Sequence, residues 1–274
     1  MTTLVAPAPG SALRWLAADS WTIAKRDLVH WVRNPTAIVF GVTFPVMFVL
    51  LFGYVFGSAI SVPGGGDYRE FLMPGMFAQA MISGAASTVA IVSTDRARGV
   101  TDRFRSMPVS RGAALVGRSI ADLCNSALEL TVLVVCGLLV GWVTRTGPLA
   151  VLAGIGVLFL MRFAMIWVGI FLGLIVSPEA AGMAWAPIFP LTMVANTFVS
   201  PEQMPAWLGT IAEWNPVSAT AGAARILFGN AGAVTAGTAS WPAQNALVLA
   251  VLWPLLIVAV FLPLAVRRYA RAAR

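Results

Sequence analysis

Residues Leu149–Ile175 read LAVLAGIGVLFLMRFAMIWVGIFLGLI, with Arg162 the one charged side chain among them. A hydrocarbon core about 30 Å thick is crossed by about 20 mainly apolar residues wound as an α-helix. This stretch meets that length with residues to spare. It shows no period-two alternation, so it is not a barrel strand. A lone strand would also leave backbone N–H and C=O groups unbonded in lipid. The sequence therefore predicts a helix with a bilayer as its solvent.

Working outward, five more stretches have the same character. Thr36–Gly57, Phe71–Ser93 and Asp122–Trp142 precede it, and Met183–Val199 and Asn245–Val266 follow. The whole chain agrees, with 59% of its 274 residues hydrophobic and 11% charged. A soluble domain carries about 25% charged residues. The fold class is all-α integral membrane, with six transmembrane helices. Cys124 and Cys136 offer neither a disulfide framework nor a metal-binding spacing. Met1–Gly10 has no basic stretch leading into an apolar one, so the first span is expected to direct insertion.

The cations orient the spans. With the N-terminus inside, four lie before the first span, six between the second and third, and four after the last. Arg69, Arg145 and Arg225 fall outside, and Arg162 lies within a span. Such a split places both termini in the cytoplasm of a multi-pass protein of the cell membrane. Placed between apolar runs, these arginines point to membrane lipids rather than to nucleic acid.

Residues 1–34 form the cytoplasmic N-terminal segment, and residues 35–274 the six-helix transmembrane domain. Within the first, Leu13, Leu16, Ala17, Trp21, Ala24, Leu28 and Trp31 recur at helical spacing, which predicts an amphipathic interfacial helix. Asn34-Pro35 then reads as a cap and first-turn proline. The largest inner loop is 94–121. Outside, 200–244 carries two short helices. One starts at Ser200-Pro201-Glu202-Gln203, and the other resumes over Val217–Phe228 after Asn215-Pro216.

Chemistry of the usual kinds is missing. The single lysine, Lys25, follows no glycine-rich stretch, so no phosphate-cradling loop exists. The single histidine, His30, lacks cysteines nearby and leaves no Ser-His-acid set. The chain is read as no enzyme, with no catalytic, cofactor-binding or metal site.

Four motifs, in this order against six spans, carry a resemblance. They are Arg33-Asn34-Pro35 and Tyr68-Arg69-Glu70-Phe71-Leu72-Met73-Pro74-Gly75. Then come Arg98-Gly99-Val100-Thr101-Asp102-Arg103-Phe104 with Met107-Pro108-Val109-Ser110-Arg111, and finally Met204-Pro205 with Trp214-Asn215-Pro216-Val217. Over nearly its whole length the chain resembles an ATP-binding-cassette type-2 transporter permease, in the branch similar to daunorubicin-resistance exporters. The resemblance implies a coupling helix in the inner loop, docked on a separate cytoplasmic ATPase subunit that holds ATP and Mg. It implies a second permease chain, and short outer helices that help to close the exit. The family's acidic residue two places before the loop glycine is replaced here by Ala97, with Asp95 nearby.

The residues of that loop suit docking. Phe104 and Met107 are apolar side chains ringed by charge in a loop facing water. Arg98, Gly99, Val100, Asp102, Arg103, Phe104, Arg105, Met107 and Pro108 are the candidate ATPase-coupling residues. Gly99 turns the chain out of the second span. Topology alone accounts for the arginines and leaves the apolar pair unexplained.

Polar and adaptable side chains mark the spans. By resemblance, Met76, Gln79, Ser83, Phe189, Met193, Asn196 and Phe198 line a cavity between two permease halves; ordinary packing explains any one of them. Pro187 and Pro190 suit a bending segment. Arg162 near mid-membrane must face the bundle or a cavity, and Glu129 lies within its inward reach. That pair is either pathway lining or structural glue.

These features predict the permease subunit of an ATP-driven exporter of an amphiphilic drug, secondary metabolite or lipid. A gradient-driven secondary transporter would need more ionisable groups at the midplane. A non-transporting membrane anchor for a soluble partner would show no substrate-stimulated ATP hydrolysis.

Overall fold

The computed structural model describes residues 9–33, 35–55, 57, 62, 66–100, 113–231 and 240–271, with backbone alone at 9–13, 16, 30–33, 35–38 and 40. Eleven α-helices follow one another among these residues. They are α1 (Pro9–Arg33), α2 (Pro35–Leu50), α3 (Tyr68–Ala97), α4 (Ala113–Val140), α5 (Pro148–Gly173), α6 (Pro178–Ala181), α7 (Trp185–Met193), α8 (Ala206–Trp214), α9 (Pro216–Phe228), α10 (Trp241–Gln244) and α11 (Ala246–Arg271). A π-helical turn, Leu51–Val55, prolongs α2, and a 3₁₀ turn, Pro201–Gln203, precedes α8. No strand occurs among the described residues.

Four helices, α3, α4, α5 and α11, are long and apolar enough to cross a membrane. The first and fifth expected spans differ from that form. The first is α2 plus its π turn. The fifth, Met183–Val199, is helical only over α7, which tight bonds such as Met183 N–H to the Ala180 carbonyl (3.0 Å) and Ala186 N–H to the Met183 carbonyl (2.9 Å) link back to α6. Pro190 lies inside α7 and has no N–H to bond the Ala186 carbonyl, and the helix ends one turn later, at Met193. The helix of the third span starts earlier than expected, at Ala113, and holds Arg118 and Asp122 paired one turn apart.

α3 is the centre of the bundle. Two-thirds (67%) of its apolar window is buried, against 17% for α11. Leu72, Met73, Phe77 and Met81 of α3 pack with Leu133 of α4, Leu158 of α5 and Phe228 of α9. Small residues bring α5 close to it. A Cβ on Gly169 would stand 2.7 Å from the Thr88 Cβ, and one on Gly173 2.7 Å from the Val92 Cβ. Lipid offers no hydrophobic drive between helices, so such close approach is what packs them.

α1 is a helix as expected, but its apolar stripe is turned differently. Ser20, Ile23, Ala24 and Asp27 are buried, whereas Trp15 and Trp21 are exposed. The inward face is the one with small side chains, which lets α1 lie close on α4 near Gly117. Residues 200–244 hold the two expected short helices, α8 and α9, with the first starting at Ala206 rather than at Ser200, and the four-residue α10 besides. Asn215 caps the second, accepting from Val217 N–H at 2.9 Å.

Candidate functional site

A cavity of about 440 Å³ opens among α2, α3, α4 and α7. Helical spacing puts Met76, Gln79, Ser83 and Ser87 on one stripe of α3, and all four line it. α4 contributes Asp122, Asn125 and Glu129, and α2 contributes Phe44 and Phe48. Trp185 and Phe189 close the side formed by α7. The aromatic rings form one wall, with centroids 4.5 Å apart for Phe44–Phe48, 5.5 Å for Phe44–Trp185 and 6.1 Å for Trp185–Phe189.

Four of the seven expected lining residues, Met76, Gln79, Ser83 and Phe189, meet at this cavity. The other three pack elsewhere. Phe198 is buried against Phe48 and Phe52, and its carbonyl accepts the Tyr68 hydroxyl at 2.9 Å. Asn196 donates its N–H to Ser218 of α9 (2.9 Å), and Met193 packs against the main core. The chain leaves its helix after Met193, so these side chains no longer follow the stripe of Phe189.

Beneath the cavity lies a chain of buried polar groups. Arg162 is almost wholly buried, and its Nε donates to Ser126 Oγ at 2.6 Å. Its Nη2 approaches Thr88 Oγ1 at 3.4 Å. Thr88 donates to Asp122 Oδ2 at 2.7 Å. The other Asp122 oxygen takes Arg118, which also reaches Asp27 of α1 at 3.5 Å. Arg26 completes the run, 2.7 Å from Asp27 and 3.7 Å from Asp95. Four helices are thereby joined by alternating charge from the cavity floor to α1. Charges in an apolar interior persist only when paired in this way.

The expected Glu129–Arg162 ion pair is absent. Arg162 turns to Ser126, one helical turn before Glu129, because Thr88 and Asp122 already gather polar groups there. It lies tightly against Gly84, where a Cβ would collide with Nη1. Glu129 faces the cavity instead.

Arg225 was counted from the sequence among the outer cations, and the structure buries its side chain. Its Nε donates to the Phe71 carbonyl (2.9 Å) and Nη2 to that of Asn196 (2.7 Å), with the guanidinium 3.7 Å from the centre of the Phe71 ring. It thus ties the irregular backbone after α7, at Asn196, to the start of α3, at Phe71. Burial pushes it down to about 9, so it stays cationic at neutral pH. The signal in the sequence is an arginine set in a helix of small residues, PVSATAGAARILF. At the same end Arg69 approaches the carbonyls of Gly53 and Val140, and Arg145 pairs with Glu70, which raises the arginine's pKa.

Of the coupling residues, Arg98, Gly99 and Val100 are described. Gly99 has φ +66°, the left-handed turn that ends α3. Asp102, Arg103, Phe104, Arg105, Met107 and Pro108 lie outside the described residues. Asp95, the acid nearest Ala97, is taken up by Arg26.

Comparison with known proteins places this architecture. Residues 19–228 match the family model described as ABC-2 type transporter. The chain is 33% identical over 266 residues to a daunorubicin resistance ABC transporter permease protein, DrrB1, of Streptomyces coeruleorubidus, spanning 96% of this chain and 88% of that protein. It is 23% identical over 159 residues to a probable doxorubicin resistance ABC transporter permease protein, DrrC, of Mycobacterium tuberculosis, covering 57% of this chain and 58% of that one. A putative transport permease, ycf38, of Cyanophora paradoxa is 22% identical over 216 residues, 77% of this chain and 74% of its own. With the family model matched over most of its length and a third of its residues shared almost end to end with one permease, the chain belongs to the ABC-2 type transporter family, as a membrane permease rather than a catalytic enzyme.

Proposed function

We propose that this chain is the membrane subunit of an ATP-driven exporter that moves an amphiphilic drug, secondary metabolite or lipid out of the cell. The observation that carries the reading is the cavity. It has an aromatic wall from α2 and α7, and faces it with the polar stripes of α3 and α4. Such a lining suits a ligand with an apolar body and a polar group. The names of the two drug-resistance relatives support the substrate class.

In this reading six segments span the membrane, with α2 and its π turn as the first and the broken α6–α7 path as the fifth. α1 lies on the inner surface with Trp15 and Trp21 toward lipid. Residues 1–34 and the loop 94–121 are cytoplasmic, and 200–244 is outside. A second permease chain completes the pathway. ATP and Mg are held by a cytoplasmic ATPase subunit, which drives the permease through the loop after Gly99. Phe104 is the anchor of that contact, and a central aromatic anchor is worth about 2 kcal/mol or more.

The experiment is co-reconstitution of the chain with its ATPase in vesicles, following movement of a fluorescent amphiphile and ATP hydrolysis. Transport that ignores ATP would end the reading. Phe104→Ala should preserve insertion while weakening the complex and abolishing substrate-stimulated hydrolysis, with Arg111→Ala as control. Full complex formation and turnover in Phe104→Ala would remove the coupling assignment alone.

A further inference from the structure

We infer that the cavity contains an amine subsite, built by Glu129 with Gln79 and Ser83, that selects ligands carrying a protonated amine on an aromatic or apolar body. This rests on the reading of the cavity as the substrate's path.

The first ground is the state of the carboxylates. Asp27, Asp95 and Asp122 each have an arginine partner within the bundle. Glu129 is half-buried in the cavity wall, with no hydrogen bond or ion pair among the described residues. Arg118 is held by Asp27 and Asp122, and Arg162 bonds Ser126 and Thr88 through Nε and Nη2, its buried Nη1 making no hydrogen bond. The cavity thus holds one carboxylate that no cation of the described residues contacts directly.

The second ground is independent and lies on α3. Gln79 is 4% exposed, and its Oε1 has no hydrogen-bond partner; the Oγ of Ser83, one turn on, has none either. Both residues line the same cavity as Glu129. A buried polar atom left unpaired costs about 1–3 kcal/mol, so a ligand that satisfies these oxygens gains what the empty protein forgoes. A primary ammonium is a compact cation with three donors and no acceptor, which matches one carboxylate and two neutral oxygens.

The third ground is the opposite wall, where Phe44, Trp185 and Phe189 present their rings in sequence. Aromatic faces attract cations and accommodate flat apolar bodies. A neutral or anionic amphiphile would find the same wall but would leave Glu129 uncompensated.

The test uses the full chain in lipid nanodiscs. The probes are dansylcadaverine, a fluorescent ring system ending in a primary ammonium, and its neutral N-acetyl derivative. Binding to empty nanodiscs is subtracted. Wild type should bind the amine roughly tenfold more tightly than the acetyl form, as a charge-assisted contact implies. Glu129→Gln should bring the two within about twofold, leaving the acetyl affinity unchanged. Ser83→Ala, on another helix, should also lower the ratio, and it carries the test if Glu129→Gln does not fold. Equal affinities in wild type, or an unchanged ratio in either variant, overturns the subsite. Trp185→Ala with Phe189→Ala should weaken both probes alike, which upholds the cavity whatever becomes of the subsite. If that double change weakens neither probe, the probes bind elsewhere and both readings fall.

Discussion

Replacing Arg118 and Asp122, singly and together, tests whether the polar chain beneath the cavity acts as a coupled unit. Arg118 is 6% exposed and Asp122 2%. Breaking a buried pair by removing one partner costs about 3–5 kcal/mol. Here each survivor keeps one weaker partner. Asp122 retains the Thr88 hydroxyl at 2.7 Å, and Arg118 retains Asp27 at 3.5 Å. The low end applies, so Arg118→Met and Asp122→Leu should each cost about 3 kcal/mol. Together they leave no lone charge at that position, and Asp27 still holds Arg26 at 2.7 Å. Apolar replacement of a whole buried pair is often near neutral, so the double variant should lose only about 1–2 kcal/mol. The coupling is then about 4 kcal/mol, a contact-range value far above the few tenths found for independent sites. Equilibrium unfolding in mixed micelles across a detergent series measures all four proteins. If the losses simply add, to within about 0.5 kcal/mol, the chain of charges is a set of unrelated contacts and the reasoning fails.

Other outcomes follow from the same geometry. Arg225→Met removes, besides a longer bond to the Thr197 carbonyl at 3.4 Å, two short hydrogen bonds to backbone carbonyls. At about 1.5–3 kcal/mol each for a charged donor, it should lose roughly 3–6 kcal/mol of stability by thermal unfolding in nanodiscs, and Arg225→Lys should recover only part. Gly169→Ala places a Cβ 2.7 Å from that of Thr88 and should cost about 1–3 kcal/mol in the same measurement, whereas Gly156→Ala, with open space around it, should be silent. Arg162→Met should couple more strongly with Ser126→Ala than with Glu129→Gln, because the hydrogen bond runs to Ser126; the reverse order in a double-mutant cycle would restore a Glu129–Arg162 pair. In a chain lacking Cys124 and Cys136, a cysteine at Gly232 should react with an impermeant reagent from outside and one at Ser110 should not. Strong outside labelling at Ser110 would overturn the orientation.

Much of the fold was legible because apolar length is a local property. Leu149–Ile175 could be read from composition alone, and α5 lies almost where it predicts. The turn at Gly99 was legible for a similar reason, since a left-handed φ belongs to the residue itself. Polar partners were not. Hydropathy says that Arg162 must be satisfied but is silent on whether Glu129, Ser126 or Thr88 does it, since these lie within a turn or so of one another in depth. Arg225 misled because a charge-counting rule sees sidedness and not burial. The inward stripe of α1 misled because its packing face is chosen by how closely Ser20 and Ala24 allow approach, rather than by hydrophobicity. Of the residues expected to line a cavity, those on the helical stripe of α3 and Phe189 of α7 meet at one, and the reading failed where the backbone after Met193 stops being helical.

The Arg225 contacts also order events in time. The guanidinium bonds carbonyls 154 residues earlier, at Phe71, and 29 earlier, at Asn196. A nascent chain that has just threaded α3 and α7 into the bilayer has none of this donor to offer. Its open carbonyls must keep company with water or lipid headgroups until α9 has been synthesised and folded back. Closure of this end of the bundle is therefore a late step, made after most of the polypeptide has left the ribosome. A ribosome stalled before codon 225 would hold a chain whose central helix is already inserted but whose end at Phe71 remains wet.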